Sequence, residues 1–192
     1  VLKTLEKYGV VEFSERKELR DPLKNRVRKK SPENIVLNGE QKKAFDEISK
    51  DLGSGGAHLL YGVTGSGKTH VFTALADEVL NRGKSVLLLL PEISLTLQII
   101  DRLIDRYGDL LAVLHSGLSV GERYDEYRRI REGKARFVVG TRSAVFAPLK
   151  DLGLIIMDEE QEHSYKSEKT PRYDAKAVAG YLASEAEALL LV

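Results

Sequence analysis

The sequence predicts an α/β fold, a doubly wound and mostly parallel sheet in a single lobe. Two observations support this prediction. Short apolar runs such as Ser85–Leu90 and Leu152–Met157 alternate with segments of helical periodicity, and runs that are apolar on both faces are typical of parallel strands buried between helices. A glycine-rich segment, Gly62–Thr69, also lies between a predicted strand and a predicted helix, as in the phosphate-binding turns of such folds.

The predicted elements begin near residue 39 and continue to the end of the sequence. We expect helices at Gly39–Leu52, from the glycine-rich segment to Asn81, and at 94–106, 119–131 and 174–187. We expect strands at His58–Tyr61, Ser85–Leu90, 110–114, 136–140, 152–157 and 188–192. Strands that alternate with helices in this way usually pair in parallel.

The composition places the chain among globular proteins. Its 192 residues are 42% hydrophobic and 31% charged, and no apolar run reaches the ~18 residues that would span a membrane. The absence of cysteine excludes disulfides and thiolate metal sites, and it fits a cytoplasmic protein. The four histidines are scattered and form no helical pair with another ligand, so they predict no metal site.

The first 37 residues differ from the rest. Arg16–Lys30 holds eight lysines and arginines against two acidic residues, which suits contact with a phosphate backbone. A solvated linker explains the same charge equally well. We therefore place a boundary at residue 38, and we interpret Leu2–Val11 as a helix end, a glycine turn and a strand.

The glycine-rich segment matches the pattern G-x-x-x-x-G-K-[ST] at every fixed position. Glycines permit a tight loop whose N–H groups surround an anion, and the following helix directs its amino end at the phosphates. Lys68 can reach the β- and γ-phosphates, and the Thr69 hydroxyl can bind Mg²⁺. The predicted ATP-binding loop consists of Gly62, Val63, Thr64, Gly65, Ser66, Gly67, Lys68 and Thr69.

Two acidic residues follow the apolar run that ends at Met157. Ligands of open α/β sheets bind at the carboxyl ends of strands, and Asp158 would hold Mg²⁺ there. Glu159 would orient and deprotonate the attacking water, so Lys68, Asp158 and Glu159 are the predicted catalytic residues. A GTPase would carry a guanine-reading N/T-K-x-D string, which this sequence lacks.

Several strings together resemble a known family. Asp158, Glu159, Glu160 and Gln161 resemble the DExx box of superfamily 2 helicases, whose lobes are RecA-like P-loop NTPases. The strings LLYGVTGSGKTHV (59–71), LLPEISLT (89–96), HSGLS (115–119) and GTRSAVFAPLKDLGLIIMDEE (140–160) resemble the bacterial replication-restart helicases. That family usually has histidine where Gln161 stands, so we expect an altered link to the γ-phosphate.

The resemblance implies roles for residues outside the phosphate loop. Gln41 would read the adenine edge. Thr96, Thr141 and Arg142 would contact the phosphates of single-stranded DNA. In an aromatic-rich loop, Ser164–Tyr173, the two tyrosines would stack on bases while basic side chains meet phosphates. The residues implied in this loop are Tyr165, Lys166, Lys169, Arg172 and Tyr173.

The resemblance also implies a function, namely one lobe of a 3′→5′ DNA helicase that acts in replication restart and primosome assembly. Residues 1–37 would be the end of a winged-helix domain with its linker, and residues 38–192 a first lobe that ends before motif III. The second lobe in cis, the family's zinc site, primosome proteins and single-stranded-DNA-binding protein would lie outside the chain. Two alternatives remain, another superfamily 2 translocase and a DNA-binding module with a vestigial ATP site.

Overall fold

The computed structural model describes residues 2–10, 34–63 and 65–192. The first helix, α1, covers Leu2–Lys7 and is followed by a turn in which Gly9 has a φ of +68°. The basic segment Arg16–Lys30 and Thr64 lie outside the described residues, as does the part of the expected first strand from residue 11. The division of the chain at residue 38 therefore stays a prediction.

The described residues form a six-stranded sheet whose strand pairs are all parallel, in the order β1-β6-β5-β2-β4-β3. This confirms the predicted α/β class and single lobe. The strands are β1 (Gly56–His58), β2 (Ser85–Leu89), β3 (Leu111–Leu114), β4 (Phe137–Gly140), β5 (Leu152–Met157) and β6 (Leu189–Leu191).

Five further helices cover the sheet, and two of them begin with a capping box. The helices are α2 (Gly39–Ile48), α3 (Lys68–Asn81), α4 (Leu97–Tyr107), α5 (Val120–Arg131) and α6 (Ala175–Glu185). Asn38 with Gln41 caps α2, and Ser119 with Glu122 caps α5, so orphan N–H groups at both helix starts are bonded. None of the helices in the described ranges is long and apolar enough to cross a membrane.

The central strands are buried on both faces, as their apolar runs predict. On β5, Leu154 and Ile156 join a core beneath α2, α3 and α4, whereas Ile155 and Met157 join a second core beneath α5 and α6. Successive side chains of a strand point to opposite faces, so one uninterrupted apolar run supplies both cores. This double burial fixes the position of β5 and of the acidic residues that follow it.

Several predicted boundaries differ from the structure, with the largest differences at α2, which ends at Ile48 rather than Leu52, at the first strand of the sheet and at the start of α4. The first strand is Gly56–His58 rather than His58–Tyr61, because β1 is an edge strand and its exposed residues need not be apolar. The chain stays alongside β6 beyond His58, since the Leu60 amide donates to the Val192 carbonyl at 2.8 Å. Helix α4 begins at Leu97 rather than 94, because Thr96 occupies the N-cap position.

The fold brings the predicted motifs to one edge of the sheet. In parallel strands all carboxyl ends lie on the same side. The glycine-rich loop follows β1, the proline-containing segment from Pro91 follows β2, Thr141 follows β4 and Asp158 follows β5. The candidate site is therefore a shared edge of four strands.

Candidate functional site

The glycine-rich loop has the backbone conformation that its sequence predicts. Gly65 and Gly67 have φ values of +83° and +82°, in the left-handed region that favours glycine. Gly67 is the N-cap of α3, so the loop leads directly into the amino end of that helix. The Nζ of Lys68, the first residue of α3, donates to the Gly62 carbonyl at 2.9 Å, so the ammonium group closes the loop.

Close packing also restricts two glycines of the loop, Gly62 and Gly67. A Cβ on Gly62 would lie 2.8 Å from the Oγ of Ser66, and a Cβ on Gly67 would overlap the side-chain amide of Gln41. A residue with a side chain at position 67 would thus meet both an unfavourable φ and a steric overlap.

Gln41 joins the start of α2 to the glycine-rich loop. Its Oε1 accepts a hydrogen bond from the backbone N–H of Asn38 at 3.0 Å in the capping box, and its Nε2 donates to the backbone carbonyl of Ser66 at 3.0 Å. A side-chain amide has two N–H donors and an oxygen with two lone pairs, so one donor and one lone pair remain for a ligand. Adenine recognition by Gln41 stays a prediction.

The two carboxylates predicted to be catalytic differ in their surroundings. Asp158 is half-buried, and its amide donates to the Leu89 carbonyl at 3.1 Å, which fixes it to the end of β2. Glu159 is exposed, with a φ of +50°, and the Oγ of Ser94 lies 3.5 Å from its Oε2. The backbone is therefore in the left-handed region at Glu159, directly after Asp158.

The charges at the site act on Asp158 from two sides. Burial, followed by the nearby charge of Glu159, raises the pKa of the Asp158 carboxyl, while the positive charge of Lys68 opposes this shift. The lysine of the loop and the acid after β5 are thus close enough to interact, although 90 residues separate them in the sequence. A half-buried carboxylate that lacks full charge compensation suits a divalent cation.

The residues present fit Mg²⁺ and a nucleoside triphosphate. Thr69 is exposed in the first turn of α3, one residue beyond Lys68, and Asp158 offers a carboxylate at the end of β5, on the same edge of the sheet. Hydroxyl and carboxylate oxygens together with phosphate oxygens form the usual environment of Mg²⁺. Metal binding by these residues stays a prediction.

The last two residues of the acidic box have surroundings of their own. Glu160 forms an ion pair with Lys176 in the first turn of α6, which connects the box to that helix. Gln161 is exposed. Lys176 carries no motif signal in the sequence, and Ser94 lies in the string 89–96 without a role predicted for it, whereas the Asn38–Gln41 capping box could be identified from its spacing.

Most of the predicted DNA contacts lie on the surface. Thr96, Lys166, Lys169 and Arg172 are exposed, and Thr96 also caps α4. Tyr173 is half-buried and packs edge-to-face on Phe146 with 4.9 Å between ring centroids. Arg142 is half-exposed, and its Nη1 donates to the carbonyls of Ser164 at 3.2 Å and Lys166 at 3.0 Å.

Two of the residues predicted to contact DNA are buried. Tyr165 is only 2% exposed, and its ring lies in the core beneath α6, so no face is free to stack on a base. Its hydroxyl lies 2.7 Å from the Asp158 carbonyl and 3.0 Å from the Leu89 carbonyl. Thr141 is 4% exposed at the end of β4, where its amide donates to the Leu114 carbonyl, so its side chain is covered by protein.

Comparisons with known proteins agree with the motifs. The model of the DEAD/DEAH box helicase family matches residues 38–190. Replication restart protein PriA of Bacillus subtilis (strain 168) is 48% identical over 180 residues, which are 93% of this chain and 22% of that protein. PriA of Treponema pallidum (strain Nichols) is 52% identical over 151 residues, 79% of this chain and 23% of that protein. The chain thus spans about a fifth of the length of these relatives.

Solved structures support the fold. The UvsW helicase from bacteriophage T4 aligns with a TM-score of 0.57 at 17% identity, over 99% of this chain and 67% of that one. The Hef helicase domain of Pyrococcus furiosus aligns with a TM-score of 0.56 at 20% identity, over 81% of this chain and 31% of that one.

The expected RecA-like helicase fold and the resemblance to replication-restart helicases are both confirmed, since the chain is a homologue of PriA over most of its length. The glycine-rich loop and the acidic box both fall within the matched residues 38–190. The chain belongs to the DEAD/DEAH box helicase family.

Proposed function

We propose that this chain is the lobe of a replication-restart DNA helicase that binds and hydrolyses ATP with Mg²⁺. The observation that carries the proposal is the convergence of Lys68 and Asp158. The lysine lies in a loop whose glycine conformations suit a phosphate chain, and its charge acts on the half-buried acid at the end of β5. A lysine and a carboxylate in this arrangement are the two parts that P-loop ATPases need.

Different residues of the chain have different roles in this proposal. The loop amides and the amino end of α3 bind the phosphates, and Lys68 leaves the Gly62 carbonyl to neutralise their charge. Thr69 and Asp158 would hold Mg²⁺, which would supply electrostatic stabilisation of the phosphate oxygens. Glu159 orients the attacking water and accepts its proton, and its exposed side chain is accessible from solvent for that role.

The full activity belongs to a longer protein in this proposal. Proteins named replication restart protein PriA extend well beyond the matched segment. A second lobe in cis would complete the nucleotide site, and ATP turnover would drive 3′→5′ movement on single-stranded or forked DNA in the bacterial cytoplasm. Primosome proteins and single-stranded-DNA-binding protein are the proposed protein partners. We expect the chain alone to hydrolyse ATP slowly.

The proposed DNA surface uses the predicted contacts that remain accessible. Thr96, Arg142, Lys166 and Arg172 can meet phosphates, and Tyr173 offers a partly open ring for stacking. Such contacts bind the backbone and the base faces rather than base edges, so recognition would tolerate sequence.

Two variants test the proposal by separating binding from hydrolysis. Lys68→Ala removes the phosphate contact and is expected to weaken Mg²⁺–ATP binding by about 100-fold, since a charge-assisted bond to a phosphate is lost. Glu159→Gln keeps the binding groups and is expected to retain affinity while the slow turnover falls by at least about ten-fold. Isothermal titration and phosphate release measure the two quantities.

The outcome separates the motor from its main alternative. A DNA-binding module with a vestigial ATP site would show no nucleotide binding in the unaltered chain, and neither variant would change anything. Strong DNA-stimulated turnover by the chain alone would contradict the proposed need for a second lobe.

A further inference from the structure

Tyr165 occupies an unusual place for a residue in a polar loop. Its side chain is 2% exposed and packs in the core that contains Leu89, Met157 and Ala175. A phenol keeps its O–H at neutral pH, and here the hydroxyl lies against two backbone carbonyls. The hydroxyl is therefore available as a hydrogen-bond donor at the inner side of the candidate site.

The acceptors of this hydroxyl are backbone groups of the site itself. The shorter contact, 2.7 Å, is to the Asp158 carbonyl, and the longer one, 3.0 Å, is to the Leu89 carbonyl. The Asp158 carbonyl belongs to the peptide group that joins Asp158 to Glu159. A hydrogen bond to that carbonyl fixes the plane from which both carboxylates project.

The same peptide group leads into a strained residue. Glu159 has a φ of +50°, in the left-handed region that residues other than glycine rarely adopt. Conformations of this kind persist where surrounding contacts determine them, and they are concentrated at functional sites. The Tyr165 hydroxyl, together with the bond from the Asp158 amide to the Leu89 carbonyl, supplies such contacts.

Arg142 holds the tyrosine from the other side. Its Nη1 donates to the carbonyls of Ser164 and Lys166, the residues before and after Tyr165. Arg142 follows β4, while the Tyr165 hydroxyl contacts the ends of β2 and β5. The side chains of Tyr165 and Arg142 together thus connect the ends of three neighbouring strands at the edge where the predicted catalytic residues lie.

We propose that Tyr165 is a positioning residue that orients Asp158 and Glu159 through the peptide group between them, with Arg142 holding the tyrosine in place. This inference rests on the proposed Mg²⁺–ATP site. It assigns Tyr165 to catalytic geometry inside the lobe instead of to base stacking on its surface.

Tyr165→Phe is the direct test because it removes the hydroxyl and keeps the buried ring. We expect the gain in ATP affinity that Mg²⁺ provides to fall about five-fold, while affinity in the presence of EDTA is unchanged. We expect kcat for hydrolysis to fall by about ten-fold with KM changed less than two-fold, as for loss of one hydrogen bond that supports catalytic geometry.

A readout without nucleotide completes the test. Amide hydrogen exchange in the segment 157–162 should be faster in Tyr165→Phe, because the peptide group after Asp158 has lost its restraint. Arg142→Gln, assayed without DNA, should reduce the Mg²⁺-dependent gain in the same direction.

Tyr107→Phe is the matched control. Tyr107 is another buried tyrosine, 6% exposed, but it stacks on Phe137 at the amino end of β4, away from the candidate site. This variant should leave the Mg²⁺-dependent gain and kcat unchanged, whatever its effect on Tm.

The results separate this inference from the proposed function. If the unaltered chain shows no Mg²⁺-dependent nucleotide binding, the proposed function fails and the role of Tyr165 fails with it. If the unaltered chain binds Mg²⁺–ATP and Tyr165→Phe has the same Mg²⁺-dependent gain and the same exchange at 157–162, only the inference about Tyr165 is overturned.

Discussion

The two sides of the candidate site are built in different ways. On the phosphate side, the loop has its shape because Gly65 and Gly67 adopt positive φ angles and Lys68 closes it on its own first glycine. On the carboxylate side, Asp158 follows a strand that is buried on both faces, and its backbone is held by Leu89 and Tyr165. Local conformation determines the first side, and tertiary contacts determine the second.

Because of this difference, substitutions on the two sides of the site should affect different properties. A change in the loop alters the conformation of a short segment and the groups that bind phosphate. A change beneath the carboxylates alters their orientation without touching the phosphate groups. Nucleotide affinity should therefore follow the loop, and the contribution of Mg²⁺ should follow the strand end.

Two substitutions, one on each side of the site, test this difference. Gly67→Ala, on the phosphate side, is expected to have the larger effect on stability. Alanine at a φ of +82° is strained, and its Cβ would displace the Gln41 side chain from the Ser66 carbonyl. We expect ATP affinity to fall at least about ten-fold, measured by titration with and without Mg²⁺, together with a loss of stability of roughly 1 kcal/mol.

Gly133→Ala is the control for backbone strain. Gly133 has a φ of +74° after α5, and a Cβ there would have no neighbour within 4 Å. The stability of this variant should fall by a similar amount while its nucleotide affinity stays unchanged. Equal losses of affinity in the two variants would mean that general destabilisation, rather than the loop, controls binding.

Asp158→Asn should change stability less than Gly67→Ala does, and it should stabilise the chain rather than destabilise it. Because burial and Glu159 raise the pKa of Asp158, the folded chain holds this proton more tightly than the unfolded chain. The charged group therefore destabilises the fold at neutral pH, and asparagine removes that cost. We expect Tm without ligand to rise by about 1–3 °C, while the Mg²⁺-dependent gain in ATP affinity is lost.

The stabilisation by Asp158→Asn should depend on pH, because it comes from removing a charge. The stabilisation relative to the unaltered chain should be complete at neutral pH and should disappear as the pH falls below the unfolded pKa of about 3.9, where aspartate is protonated in both states. Asp109→Asn, at an exposed position, should show no comparable rise in Tm. A lower Tm for Asp158→Asn at pH 7 would contradict the account of the charge balance.

The comparison also explains which features the sequence could predict. The alternation of apolar runs and helical patterns predicted the parallel sheet, because double burial of a strand such as β5 appears directly as an unbroken apolar run. The loop from Gly62 to Thr69 was predictable because its conformation depends on its own glycines. The box at Asp158–Glu159 was predictable because it follows a strand.

Features that depend on distant contacts were not predictable in this way. Tyr165 lies in a polar segment, and its spacing gives no sign that it reaches Leu89, 76 residues earlier. Arg142 was predicted only as a DNA contact. Nothing in the sequence indicates that its guanidinium donates hydrogen bonds to the carbonyls on both sides of Tyr165. The first strand was misplaced because edge strands need less apolar surface than central ones.

The central claim is that the two sides of the site bind one Mg²⁺–ATP. Titration of the unaltered chain with ATP, in Mg²⁺ and then in EDTA, tests it most directly. The account predicts measurable binding in both conditions and a clear gain in affinity with Mg²⁺, at least about five-fold, because Asp158 and Thr69 lie on the two sides of the site. Equal affinity with and without Mg²⁺, or no binding at all, would contradict it.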